Sequence, residues 1–250
     1  MQRYFLEVAY KGTRYSGFQV QQHTATIQSE VEKALGVLYR QPFALTGSSR
    51  TDAGVHAMQN FFHFYTALVL SKANLYNLNA LLPADITAQR LYTVNSDTHC
   101  RFHAVSREYK YVVYQQKNPF LQDIGWYYPY RVNMDVAQTC ARLLPQYHDF
   151  TSFSKRNTQV KTYNCTILAS QWTVEDQCLV YRVAANRFLR GMVRGLVATM
   201  LKAARGSITV EQFIQVIEQK DCTVADFSAP PQGLFLERVN YPDGLLVPAD

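Results

Sequence analysis

The order of the hydrophobic periodicities in the first ninety residues constrains the fold of this chain more than any other feature. Alternating or short apolar runs predict four strands there, at residues 4–10, 42–46, 61–66 and 86–94. Thr26 and Ser71 can each cap a helix whose apolar residues recur every three to four positions, and Pro83 ends the second helix. The elements therefore follow the order β-α-β-β-α-β, which is that of the ferredoxin-like split βαβ unit.

The second half of the chain repeats this alternation less regularly. Its predicted strands are 107–115, 162–168, 178–185 and 234–239, and its predicted helices lie at 136–144, at 188–203 and after Thr209. No linker rich in Pro, Gly or Ser separates the halves. We therefore expect an α+β fold with halves 1–104 and 105–250, and one sheet that continues across the soft boundary near residue 104.

Composition indicates a globular protein that needs no disulfides. Hydrophobic residues make up 48% and charged residues 18% of 250 residues, close to the globular average. The five cysteines form no CxxC pair, so we expect reduced thiols and no structural zinc. The N-terminus lacks the continuous apolar region of a signal peptide, and apolar stretches fall short of a membrane span. We expect a soluble, cytoplasmic protein with no membrane partner.

The net charge of +6 is concentrated in residues 150–210, which contain nine basic and only two acidic residues. On one continuous helix, five of the basic residues would fall within a sector of about 120°; they are Arg187, Arg190, Arg194, Lys202 and Arg205. Such a basic stripe predicts a polyanionic partner. A membrane-surface helix is the weaker alternative, because this segment lies between predicted strands.

The loop Arg50-Thr51-Asp52-Ala53-Gly54 is the local feature most suggestive of chemistry. An Asp before glycine often only forms an Asx turn. In an extended chain, however, Arg50 and Asp52 point to the same side, and the guanidinium would keep the carboxylate ionised. No second carboxylate, DxD pair or Gly-rich phosphate loop accompanies them. A lone Asp in this setting suits nucleophilic work.

Residues 50–57, RTDAGVHA, resemble the catalytic motif of the TruA family of tRNA pseudouridine synthases. Further family motifs follow in order over almost the whole chain: GFQVQ at 17–21, NALLPADI at 79–86, HCRF at 99–102, YKY at 109–111, DFTSF at 149–153, FLRGMVR at 188–194 and GLFL at 233–236. The chain departs from the family pattern at Phe18, Ser49 and Cys100, where Trp, Gly and Ala are usual. The basic positions 155–161 lie in a variable region, which leaves the range of substrates open.

This resemblance implies two RRM-like halves that share an extended antiparallel sheet, with the active cleft between them. It implies a cofactor-free, metal-free homodimer that isomerises uridines 38 to 40 in the anticodon arm of tRNA. Asp52 would be the nucleophile, and its attack on C1′ of the ribose or on C6 of the uracil stays open.

The resemblance also implies a role for each matching residue. Tyr109 would stack on the target base, Arg194 would pair with Asp52, Arg50 would help to displace the base and Leu234 would wall the pocket. The rest of the predicted basic stripe would contact the RNA backbone, namely Arg187, Arg190, Lys202 and Arg205.

Three other interpretations account for part of the same sequence features. A non-catalytic RNA-binding protein of RRM-like fold fits the charge and the aromatic residues, and Tyr109 could be a core residue or a stacking platform. A non-catalytic RNA-binding protein, however, would have no use for a carboxylate in the Arg50–Asp52 loop. An Asp-dependent hydrolase of phosphorylated ligands lacks metal carboxylates. A zinc site at His99, Cys100 and His103 would require a helix and further ligands.

Overall fold

The computed structural model describes residues 1–156 and 160–249. The predicted variable segment 155–161 therefore lies partly outside the described residues. The chain forms two compact units, one of residues 1–105 with 236–250 and the other of residues 106–235. Both combine helices with mostly antiparallel strands, so the fold is α+β. Every helix in the described part of the chain is too short or too polar to cross a bilayer.

The first unit contains the strands and helices predicted for it, in the predicted order. They are β1 (Gln2–Tyr10), α1 (Ile27–Tyr39), β2 (Thr46–Gly47), β3 (His56–Thr66), α2 (Asn74–Leu81) and β4 (Ile86–Val94). Strand β1 lies between β3 and β4 and pairs antiparallel with both, while β2 pairs with β3. The predicted strand 42–46 is thus reduced to two residues. The chain end returns to this unit and adds a short strand at Val247–Pro248 on β4.

The register of β1 and β3 shifts between Val8 and Tyr10. Val8 lies opposite Asn60, whereas Tyr10 lies opposite Ala57, so β3 contains one more residue than β1 over this interval. Such a bulge bends a strand and redirects the side chains beside it. The bulge lies at the start of β3, directly after the loop that carries Asp52.

The second unit is built on a three-stranded antiparallel sheet. Its elements are β5 (Ser106–Tyr114), β6 (Trp126–Tyr127), α3 (Met134–Leu143), β7 (Ile167–Glu175), β8 (Cys178–Ala185), α4 (Met192–Ala204) and α5 (Val210–Glu218). Strand β8 lies between β5 and β7, and β6 runs parallel to β5. Strand β9 (Leu234–Asn240) contains the point where the chain returns to the first unit.

Two predictions about the second half were wrong. The strand predicted at 162–168 is largely loop, and β7 instead runs from Ile167 to Glu175. It forms a hairpin with β8 through Asp176 and Gln177, both with positive φ. This turn is the mirror-image type that suits a twisted hairpin, but it lacks the glycine that usually marks it.

The helix predicted at 188–203 begins only at Met192, because Gly191 adopts a left-handed conformation at its N-cap. Arg187 and Arg190 therefore precede α4, and Arg205 is its C-cap. The prediction that one helix carries all five basic residues is wrong. Helix α4 is instead buried around most of its circumference, and Gly195 lies closely against Phe153 and Phe227.

The helix caps show how local sequence specifies these boundaries. Thr26 caps α1 through a reciprocal pair of hydrogen bonds with Ser29, and Thr209 caps α5 in the same way with Gln212, as predicted for both threonines. Ser71 does not cap α2: the N-cap is Ala73, and the Asn74 side chain accepts a hydrogen bond from the Ser71 amide.

Replacing Thr26 with Ala is expected to lower the free energy of unfolding by about 1 kcal/mol, because the Ser29 amide loses its hydrogen-bond acceptor. Urea denaturation measures the change. Thr26→Ser keeps an acceptor oxygen and should stay close to wild type. Equal loss in both variants would show that packing of the Thr26 methyl group, and not the cap, stabilises this end of α1.

Candidate active site

The loop that carries Arg50 and Asp52 connects β2 to β3 and is anchored at its base by backbone and amide groups. The Ser48 amide donates to the carbonyl of Phe61 at 2.8 Å. The Asn60 side chain donates to the Ser49 carbonyl at 2.9 Å and to the Tyr10 hydroxyl at 3.1 Å. All these groups are on or beside the paired strands β1 and β3, so the sheet fixes where the loop begins.

Contacts on both sides of Asp52 hold its backbone. Thr51 is buried, its Oγ1 lies 2.8 Å from the Tyr10 hydroxyl, and its carbonyl accepts from the Phe18 amide at 3.1 Å. The Asp52 carbonyl accepts from the Val55 amide at 3.2 Å across a turn that Gly54 makes with a φ of 78°. Asp52 itself is half-buried. The loop thus presents one carboxylate from a backbone that cannot shift without breaking buried hydrogen bonds.

Two glycines allow the chain before α1 to approach this loop closely. A Cβ atom on Gly12 would lie 2.0 Å from the Val55 carbonyl oxygen. Gly17 has a φ of 102°, and its Cβ would lie 3.2 Å from the Thr51 carbonyl oxygen. The motifs of the sequence do not identify Tyr10, Gly12 or Asn60 as supports of the loop. A glycine two residues after the end of a strand was the available signal for Gly12.

Ser49 stands where the family pattern has glycine, and the structure shows what its side chain meets. The residue is buried, and its Oγ has no hydrogen-bond partner among the described residues. The backbone of Ser49 still binds Asn60, so the departure from the family pattern leaves the anchoring of the loop intact.

Arg50 is exposed and lines a surface pocket of about 240 Å³ together with other residues of the first unit. Among them are Phe18, Gly47, Arg101 and Phe102. The Arg50 side chain therefore faces solvent on the same unit as Asp52.

The other predicted site residues belong to the second unit. Tyr109 is on β5 opposite Val183, is half-buried, and meets Phe188 edge-on at 4.9 Å between ring centroids. Arg194 is on the first turn of α4 and donates from Nε to the Ala229 carbonyl at 2.6 Å. Leu234 begins β9 and is buried.

The residues of the predicted basic stripe differ in their surroundings. Lys202 forms an ion pair with Asp226 at 3.0 Å, and its charge is therefore partly compensated. Arg205 is exposed and lies over the Tyr130 ring. Arg190 is also exposed, whereas Arg187 is half-buried. Asp226 is distant in sequence from Lys202, so charge counting along the chain could not reveal this pair.

A cluster of potential metal ligands lies elsewhere in the first unit. The side-chain donor atoms of His63, His99 and Cys100 lie within 4.8 Å of one another. Residues 99–103 form turns and not the helix that a His99–His103 zinc site would require. The Cys100 thiol donates to the Thr46 carbonyl at 3.2 Å, and the Cys100 amide donates to His63 Nδ1 at 3.3 Å.

The electrostatics of this cluster oppose further positive charge. Burial, with the nearby charges of His99 and Arg3, lowers the pKa of His63 to about 4. Burial and the charges of Arg3 and Arg101 also lower the pKa of His99. The donor set could hold a soft cation, but the adjacent guanidinium of Arg3 acts against it. We interpret the cluster as a structural anchor of residues 99–102.

Comparisons with known proteins place this arrangement in a family. A family model described as tRNA pseudouridine synthase matches residues 146–242. The tRNA pseudouridine synthase A of Parabacteroides distasonis is 41% identical over 98% of both chains. That of Porphyromonas gingivalis is 40% identical over 99% of this chain and 100% of its own. That of Bacteroides thetaiotaomicron is 44% identical over 98% of this chain and 93% of its own.

Replacing Gly12 with Ala is expected to cost about 1–3 kcal/mol of stability and to lower turnover, because the new methyl group overlaps the Val55 carbonyl. Thermal denaturation and steady-state kinetics measure both. The matched control is Gly36→Ala within α1, where the methyl meets only the Gln41 carbonyl at 3.7 Å. Alanine at position 36 should raise the free energy of unfolding by about 0.5–1 kcal/mol. A Gly12 variant as stable and active as wild type would contradict the close approach.

Acidification is expected to destabilise the protein through His63. Its folded pKa lies below the unfolded value, so the unfolded chain binds more protons as the pH falls from 6.5 towards 4. Between pH 7 and pH 5 the free energy of unfolding should fall by about 2 kcal/mol through protonation of His63 in the unfolded chain. Urea denaturation at both pH values measures it, and His63→Asn should show a correspondingly smaller loss. If the stability of this variant depended on pH as that of wild type does, His63 would not be the cause of the acid sensitivity.

Proposed function

Because this chain belongs to the tRNA pseudouridine synthase A family, we propose that it modifies positions 38, 39 and 40 of the tRNA anticodon arm with Asp52 as the nucleophile. The chain is an isomerase that converts uridine in tRNA to pseudouridine. The target positions and the residue roles follow from the motifs quoted above. The geometry of the Asp52 loop supports the role of Asp52.

The reaction moves the base on its ribose without net oxidation or reduction. The bond from N1 to C1′ breaks, a bond from C5 to C1′ forms, the C5 proton leaves and N1 takes up a proton. A nucleophile can hold the reaction together by bonding either to C1′ or to C6 while the base turns. In both routes the enzyme must supply an ionised oxygen at a defined position and later release it.

The anchored backbone on both sides of Asp52 is the observation that carries this proposal. Hydrogen bonds to Thr51 and Val55 hold the backbone on either side, while the Asp52 side chain is only half-buried. A turn-forming Asp would need no such support. A nucleophile does, because small displacements of the attacking atom cost much of the advantage of proximity.

The residues of the second unit supply the remaining proposed functions. The Phe188 ring packs nearly perpendicular to the ring of Tyr109, and we propose that Tyr109 stacks on the target base. The Ala229 carbonyl holds Nε of Arg194, and we propose that its terminal nitrogens pair with Asp52. Leu234 would form an apolar wall, and Arg50 would help to displace the base from its stack, a step that costs a few kcal/mol.

The proposed tRNA partner also accounts for the basic residues. Arg190 and Arg205 are exposed and are proposed to contact phosphates, together with the half-buried Arg187 and Lys202. We expect Lys202 to contribute least, because Asp226 already pairs with it. Phosphate contacts of this kind can supply the energy that extrusion of the uridine requires.

Three further features belong to the proposal. The strand order β4-β1-β3 with β2 on β3 supports an RRM-like N-terminal half, and we propose a second RRM-like half with the active cleft between them. We propose a homodimer, by likeness to the family. We propose that the protein acts in the cytoplasm, because its substrate is tRNA.

Replacing Asp52 with Asn should abolish turnover while binding of tRNA stays within about threefold of wild type or tightens, because a carboxylate near phosphates is removed. Release of tritium from tRNA labelled at C5 of uridine measures turnover, with a chelator and no cofactor present. Substrates with a single uridine at position 38, 39 or 40 report which sites are used.

The matched control is Asp243→Asn, which removes an exposed carboxylate from the same unit and should retain wild-type turnover. Full activity in the Asp52 variant would overturn the nucleophile assignment. A wild-type protein that binds tRNA but releases no tritium would favour the non-catalytic RNA-binding alternative.

A further inference from the structure

The surface pocket beside Arg50 has a composition suited to an anionic ligand. Residues from the β2 region and from segment 99–102 line it, among them Thr46, Gly47, Arg50, His99, Arg101 and Phe102. Arg50 and Arg101 are both exposed, and the described residues that line the pocket include no acidic side chain. Two guanidinium groups on one pocket form a recurrent arrangement for phosphate binding.

Phe102 adds an aromatic surface to the same pocket. It is 74% exposed. Contact of an apolar ring with water is unfavourable unless a partner covers the ring. Its ring lies on His99 at 4.3 Å between centroids, and the Arg101 guanidinium lies 5.7 Å from its centre. Unpaired nucleic-acid bases stack on aromatic side chains that are supported in this way.

The two walls of the pocket are fastened to each other, so the arrangement is preformed. Cys100 is fully buried, and its thiol donates to the carbonyl of Thr46 on β2 at 3.2 Å. The Tyr241 hydroxyl bonds both the Cys100 carbonyl and, at 3.2 Å, Ser48 Oγ. The His99 ring packs against His63 on β3 at 4.5 Å. Arg101 and Phe102 are thus held beside the loop that carries Arg50.

The size of the pocket indicates what part of a ligand it takes. Its volume is about 240 Å³, below the range of roughly 300–1,000 Å³ typical of sites for whole small molecules. A pocket this small suits one unit of a longer polymer, which other contacts hold in place.

We propose that this pocket binds one unpaired nucleotide of the substrate RNA, near the nucleotide that the Asp52 loop receives. The phosphate lies between Arg50 and Arg101, and the base stacks on Phe102. Arg101 and Phe102 are then substrate-binding residues that hold an unpaired nucleotide near the target. This inference rests on the proposed function for the identity of the RNA, and the fixed position of segment 99–102 supports it independently.

Binding of an anticodon stem-loop RNA, followed by fluorescence anisotropy at several salt concentrations, tests the pocket. Arg101→Gln should weaken binding about tenfold and reduce the slope of log K against log salt by about one. Phe102→Leu should weaken binding roughly 5- to 100-fold with the salt slope unchanged. Phe102→Tyr keeps an aromatic ring and should bind the RNA with wild-type affinity. A fully paired duplex of the same length should bind wild type and Phe102→Leu equally.

Arg142→Gln is the matched control, since Arg142 is exposed on α3. Unchanged affinity and salt slope in the Arg101 and Phe102 variants would overturn the inference, as would an equal loss in Arg142→Gln. Failure of the proposed function is distinguishable, because it appears as a lack of tritium release in wild type, whereas these measurements need binding alone. Thermal denaturation should find both variants as stable as wild type, since the two side chains are exposed.

Discussion

The antiparallel pairing of β1 with β3 is the constraint on which the first unit depends. It forms the centre of the sheet, and its bulge brings Tyr10 and Asn60 together below the Asp52 loop. Because side chains alternate across a strand, a slip of one residue between β1 and β3 would place Tyr10 and Asn60 on opposite faces of the sheet and release Ser49 and Thr51. The register of two strands thus determines where a carboxylate is presented.

The same unit shows how a loop can be both exposed and rigid. Connecting segments commonly carry function because they reach solvent, but chemistry requires that their atoms stay in place. Here buried and accessible residues alternate along the loop. Ser49 and Thr51 are buried, Arg50 between them is exposed, and the following Asp52 is half-buried. The chain end contributes as well, since Tyr241 bonds Ser48 and Cys100 after the chain has passed through the second unit.

Local patterns predicted most of the elements, and the failures have identifiable causes. The caps at Thr26 and Thr209 were predictable because capping is settled within four residues. The hairpin of β7 and β8 was not, since Asp176 and Gln177 adopt positive φ without glycine, and packing of the strands overrides their preference. The start of α4 was misplaced because the apolar periodicity runs through Gly191, where the backbone is left-handed.

The candidate site divides in the same way. Asp52, Arg50, Tyr109, Arg194 and Leu234 were identified from motifs, because each motif is contiguous in the chain. Their supports were not, since Tyr10 meets Thr51 across 41 positions and Lys202 meets Asp226 across a turn and a helix. Charge along the sequence also overstated the basic helix, because Gly191 removes two arginines from it and Asp226 compensates a third charge.

The sequence by itself determined the order of the elements, the ends of the capped helices, and the residues able to do chemistry in the Arg50–Asp52 loop. These depend on periodicity, caps and residue type, all of which act over a few neighbouring positions. Only the tertiary structure decided which groups hold that loop, which basic residues remain exposed, and that Arg101 and Phe102 share a pocket with Arg50. Such contacts join residues far apart in the chain, and they depend on strand register and packing, which local preferences do not encode.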